Sequence, residues 1–120
     1  MSVEANKTLI RRQIERWTEY NSAILDDLYA ACVEWHEIDM LLSGIDAVKQ
    51  RYFDERDIYS YRHFDIEELI GEGDKVVVRL LFYGTRATGE REVKTGIQIY
   101  RVDNGKIQEM WQVWQDGEAL

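Results

Sequence analysis

The chain has 120 residues, enough for one domain that buries roughly two-thirds of its unfolded surface without disulfide or metal support. A net charge of -8 argues against nucleic acid as a partner, since binding a phosphate backbone requires clustered cations that release counterions. The single cysteine excludes an internal disulfide, and no apolar run approaches the roughly 20 residues that span a bilayer, so a cytoplasmic setting with no membrane partner is expected.

Ser2 can cap a helix whose apolar positions Leu9, Ile10, Ile14, Trp17, Ile24 and Leu28 recur at spacings of three and four, with a break expected near Asn21 and Ser22. Arg11, Arg12, Glu15, Arg16 and Glu19 fall on the opposite, solvated side. Cys32 follows Tyr29, Ala30 and Ala31, which reads as a buried thiol. Val33 to Ile38 alternates as a short strand, and Met40 to Ser43 pairs beside it. Gly44 then opens a second helix, Ile45 to Asp54, with Ile45, Val48, Tyr52 and Phe53 facing inward.

From Tyr59 onward the pattern is sheet. Strands are predicted over Tyr59 to Ile70, Lys75 to Thr85, Glu92 to Val102 and Lys106 to Trp114, with turns at Gly71, Gly73, Gly89 and Gly105. Four consecutive strands make an antiparallel meander, and helices followed by a long sheet give an α+β class in a single domain, residues 1 to 120. The last two strands hinge on Asp103, Asn104 and Gly105, because an Asn-Gly pair tolerates the positive φ of a tight hairpin. Alternation then puts Gly96, Gln98, Tyr100, Gln108, Met110, Gln112 and Trp114 on one face, and Ile97, Ile99, Ile107, Trp111 and Val113 on the other.

The first of these faces mixes amides with large rings, as a ligand cavity does. The strand from Val76 to Tyr83 is apolar on both sides, which calls for a second covering layer. A helix of the same chain could supply it. With the helices needed on the concave side, a homodimer through the outer sheet face is the preferred reading.

These residues resemble the SnoaL-like polyketide cyclases of the nuclear transport factor 2-like (NTF2-like) superfamily. The likeness is carried by Trp35-His36, by SGIDAVKQRY from Ser43 to Tyr52, and by DIEELIGEGDKVVVR from Asp65 to Arg79. Gly84-Thr85, Gly89 and the segment from Thr95 to Trp111 complete it. The resemblance implies a cone-shaped α+β barrel, with N-terminal helices packed on a strongly curved, mostly antiparallel sheet around a pocket, and commonly a dimer. In the cyclases an acidic residue on the last strand, assisted by a histidine on the preceding one, does acid/base work; the matching positions here are Gln112 and Gln98. Glutamine exchanges no proton near neutral pH, so that pair is absent.

The resemblance therefore implies a partner that is a small apolar or polyketide-like molecule, with no cofactor and no metal. Pocket candidates are Trp17, Tyr20, Leu80, Phe82, Gln98, Tyr100, Met110, Gln112 and Trp114. The two glutamines either bond each other or water, or hold a ligand carbonyl or hydroxyl. Any chemistry would be isomerisation, cyclisation or dehydration, with His36 as proton carrier because imidazole titrates near neutrality; packing beside Trp35 is its ordinary alternative. A metal set of His36, Asp39 and His63 lacks recognised ligand spacing, and His63 reads as a strand-surface residue. The competing class is a non-enzymatic module in which the fold serves dimerisation or regulation.

Overall fold

The computed structural model describes residues 2–17 and 22–117. Helix α1, Val3–Trp17, is capped by Ser2, whose Oγ accepts the Ala5 amide at 3.0 Å. Its buried stripe is Ile10, Gln13, Ile14 and Trp17, and it lies across the sheet. A 3-10 turn, Ser22–Ile24, leads into the short helix α2, Leu25–Leu28, and then into strand β1, Tyr29–Glu37. Strand β2, Met40–Ser43, and helix α3, Ile45–Ile58, follow. The remaining strands are β3, Tyr59–Glu72; β4, Lys75–Arg86; β5, Arg91–Asp103; and β6, Lys106–Asp116. Among the described residues no helix is long and apolar enough to cross a membrane.

The six strands form one sheet in the order β2-β1-β6-β5-β4-β3. Every pair is antiparallel except β1 with β6, so the meander from β3 to β6 closes onto β1 by a parallel contact that the sequence pattern does not signal. The helices cover the concave face, and the core there joins Ile10, Ile14, Leu25, Leu28, Val48 and Tyr52 to Val76, Val78, Leu80, Val102, Ile107 and Met110. This is the expected α+β architecture.

The β5–β6 turn adopts positive φ at Asn104 (52°) and Gly105 (71°), as the Asn-Gly signal requires. Beyond it the register slips: Arg101 pairs with Glu109, but Val102 pairs with Ile107, leaving Gln108 as a bulge. One extra residue reverses parity, so Ile107 is fully buried and Gln108 reaches back to the Asp103 carbonyl at 3.1 Å, the reverse of the simple alternation. A second irregularity lies in β1 between Tyr29 and Glu34. There Ala31 and Cys32 are both exposed, which corrects the expected buried thiol.

Helix α3 continues four residues past the predicted end at Asp54. The charged run Asp54–Asp57 masks its periodicity, yet Val48, Tyr52 and Glu55 fall at i, i+4 and i+7 on one face. That extension delivers Glu55, half-buried, to the wall of the cavity described below.

Candidate functional site

The concave face encloses a cavity of about 220 Å³. Its apolar wall includes Ile14 and Trp17 from α1, Trp35 from β1, Phe64 from β3, Leu80 and Phe82 from β4, and Trp114 from β6. Gly96 makes room for Trp114: a Cβ there would lie 2.5 Å from the indole, so no larger residue fits without moving the ring.

A chain of polar side chains crosses this wall. Tyr100 donates to Gln98 Oε1 at 2.6 Å and lies 3.1 Å from Gln13 Oε1. Gln98 Nε2 donates to Gln112 Oε1 at 2.9 Å, and Trp114 Nε1 donates to the same oxygen at 2.9 Å. Gln112 Nε2 donates to Glu37 Oε1 at 2.8 Å, and Arg51 Nη1 closes the chain on that oxygen at 2.5 Å. Cross-strand pairing of Gln98 with Gln112 sets this up, since opposite residues on one sheet face bring their side chains together. Burial pushes the Tyr100 phenol upward, so it stays protonated and acts as a donor. Trp35 is buried, and its Nε1 has no acceptor among the described residues.

A second polar cluster flanks the first. Glu55 Oε2 accepts from Trp17 Nε1 and from Arg62 Nη1, both at 2.6 Å. The Arg62 side chain is only 1% exposed, and its other terminal nitrogen donates to the Trp17 carbonyl. Burial raises the Glu55 carboxyl above its ordinary value, against the lowering effects of Trp17, Arg62 and Arg51; Glu37 adds to the rise. Tyr59 and Lys94 complete the rim, with the Tyr59 phenol donating to Glu92 at 2.7 Å. Burial, then the hydrogen bond to Glu92, raises the Tyr59 phenol well above its usual range.

Of the residues expected at a pocket, Trp17, Leu80, Phe82, Gln98, Tyr100, Gln112 and Trp114 line this cavity. Met110 does not; it is fully buried in the core beneath. Tyr20 lies outside the described residues. His36 also differs from expectation, because alternation turns Trp35 inward and His36 outward. Its ring stacks on Trp111 (5.2 Å, 9°) and its Nε2 lies 2.9 Å from Glu109 Oε2, so it is not among the cavity-lining groups.

The postulated metal set is not assembled: His36 on β1 and His63 on β3 are separated by β6, β5 and β4, and His63 pairs with Asp65 at 2.7 Å. On the outer face the ligand atoms of Glu34, His36 and Glu109 fall within 4.8 Å of one another, but Arg101 already neutralises Glu109 at 3.1 Å. Arg79 and Arg101 pair with Glu68 and Glu109 rather than with any group of the cavity.

Sequence reasoning missed Glu37, Arg51, Glu55 and Arg62. The signal for Glu37 is its two-residue offset from Trp35, and for Glu55 its place on the Val48–Tyr52 stripe.

The family model for the SnoaL-like domain matches residues 10–110 of this chain. Among the curated proteins none matches. Solved structures with the same fold include AclR, a candidate hydroxylase from Streptomyces galilaeus, with a TM-score of 0.84 at 18% identity over 95% of this chain and 77% of that one. A candidate polyketide cyclase from Acidithiobacillus ferrooxidans gives 0.78 at 23% identity over 95% and 91%. IdmH from Streptomyces antibioticus, also a candidate polyketide cyclase, gives 0.81 at 17% identity over 91% of each chain. At these identities the likeness speaks for the fold: helices closing a six-stranded curled, mostly antiparallel sheet.

Proposed function

Because the chain belongs to the SnoaL-like domain family, we propose that its cavity binds a small apolar or polyketide-like molecule through a carbonyl or hydroxyl directed at Gln98 and Gln112. The observation that carries this is the amide pair itself, hydrogen-bonded side by side in the cavity wall at 2.9 Å. Each primary amide has two N–H groups, and the bonds described use one on each, so a donor remains on each for a ligand oxygen.

The volume limits the ligand. About 220 Å³ falls below the roughly 300–1,000 Å³ of drug-sized sites, so one or two rings fit better than four. Aromatic walls favour a flat ring system, which stacks without requiring a charge partner. Neither glutamine can move a proton, so at these two positions the site holds and polarises rather than titrates.

Saturation-transfer NMR with a panel of one- and two-ring ketones and phenols tests the reading. Binding should be present in the wild type and weakened about tenfold or more by Gln112→Leu, as the loss of a hydrogen bond in a shielded site requires. Equal binding by the variant would refute it.

A second reading concerns the outer face, where Ile97, Ile99 and Val113 are 45%, 38% and 52% exposed around an apolar groove that also includes Trp111 and Ile38. A contiguous apolar patch of this kind favours a homodimer formed through the outer sheet face. Light scattering should report twice the chain mass for the wild type and a monomer for Ile97→Glu.

A further inference from the structure

We propose that Glu55 is the proton-accepting group of the cavity, taking a proton from a carbon adjacent to a carbonyl of the bound molecule. The proposal rests on the ligand occupying that cavity. It moves proton transfer from the sheet, where the amides stand, to helix α3.

Each of the cavity-lining carboxylates, Glu37 and Glu55, takes two donors on one oxygen, and they differ in the donors, of which Arg62 at Glu55 is itself almost wholly buried. On Glu37, Arg51 Nη1 and Gln112 Nε2 both bind Oε1, tying that group into the amide chain. On Glu55, Trp17 Nε1 and Arg62 Nη1 both bind Oε2. Two donors from separate elements on one oxygen fix the plane of the carboxylate and leave Oε1 for a ligand. Arg62 is itself immobilised by the Trp17 carbonyl, so the base is preorganised by α1, α3 and β3 together.

The surroundings suit a base. The charged or titratable groups facing Glu55 are Arg51 on its own helix, Glu37 and Tyr29 on β1, and Arg62 and Tyr59 at the start of β3; Lys94 on β5 shares the cavity wall. Burial dominates this balance and raises the carboxyl, which makes the ionised form a stronger base than an exposed glutamate. Arg62 and Trp17 oppose that rise, keeping the ionised form accessible.

The step needs no co-reactant. Glu55 Oε1 takes the proton from the α carbon, the C–H electron pair becomes a C=C bond, and the carbonyl oxygen becomes an enolate oxygen that the remaining Gln98 or Gln112 N–H groups stabilise. Return of the proton to the same carbon completes an exchange cycle; return to a conjugated carbon completes an isomerisation. Removing a carbon-bound proton with a positioned base contributes typically about 10²–10⁴-fold.

The test uses 1-tetralone, a two-ring ketone, in D2O with the intact protein, following deuterium incorporation at C2 by NMR and binding by saturation transfer. The wild type should bind it and speed exchange, with a rate that rises with pH through a midpoint above the ordinary glutamate value of about 4.3. Glu55→Gln keeps an acceptor for Trp17 and Arg62; it should retain binding within about threefold and lose exchange by about 100-fold or more. Should that variant fail to fold, Glu55→Asp withdraws the carboxylate by one methylene, and its exchange should fall at least about tenfold with binding retained. Binding without exchange in the wild type, or full exchange in either variant, overturns the role of Glu55 while leaving the cavity reading intact. No binding overturns the cavity reading, and this inference with it.

Discussion

Tyr100 props Gln98 from two residues along the same strand face, its phenol 2.6 Å from Gln98 Oε1, with both residues almost wholly buried. Gln98 is thereby turned so that its nitrogen meets Gln112. Tyr100→Phe removes the donor and leaves buried acceptors on Gln98 and Gln13, at a cost of about 1 to 3 kcal/mol. Urea unfolding should show a lower midpoint with an unchanged slope. Ligand affinity should fall as well, because Gln98 loses its fixed orientation.

Gly96→Ala should destabilise by about 1 to 3 kcal/mol, since the new methyl would stand 2.5 Å from the Trp114 ring, which must turn into the cavity. Thermal melting measures the stability change. Ligand binding should weaken in parallel, because the displaced indole occupies the space the ligand needs.

The bulge in β6 makes neighbouring residues unequal. Ile107→Ala should cost about 2 to 4 kcal/mol, as a fully buried isoleucine is cut back in the core. Gln108→Ala should change stability by less than about 0.5 kcal/mol, since that side chain is bonded to the turn at the surface. Chemical denaturation of both variants checks the register directly; equal effects would restore the unbulged pairing.

Most of the fold was legible in the sequence because strand alternation, the Asn-Gly turn and turn glycines report local geometry. What was not legible depended on parity and on contacts between distant segments. One bulged residue exchanged the faces of Ile107 and Gln108, and another exposed Cys32. The parallel β1–β6 contact placed His36 against Trp111 and Glu109, residues more than seventy positions away that no local pattern links to it. Within the site the amides were readable from the hairpin, whereas Glu55 was hidden by a charged run that resembles a solvated helix end. Its partner there is Arg62 on β3, an ion pair that no local pattern announces.

The His36–Glu109 contact predicts a pH dependence. Partial burial tends to raise the Glu109 carboxyl, but hydrogen bonds from His36 and Arg101 outweigh this and hold it below its ordinary value. A carboxyl lowered in the folded state adds stability above its unfolded pKa of about 4.3 and loses it as pH falls through the lower folded value. Urea midpoints for the wild type and Glu109→Gln should therefore differ at pH 6 and converge toward pH 3. A constant difference would remove the ionic contribution.

Reception of a ligand by Gln98 and Gln112 can be read from a ¹⁵N-edited NMR titration of the side-chain NH2 groups with 1-tetralone, using the exposed Gln50, paired with Asp54 at 2.9 Å, as internal reference. Saturable shifts of the Gln98 and Gln112 resonances are expected, with Gln50 unmoved. Shifts confined to the Trp111 indole on the outer face, with both cavity amides unchanged, would contradict it.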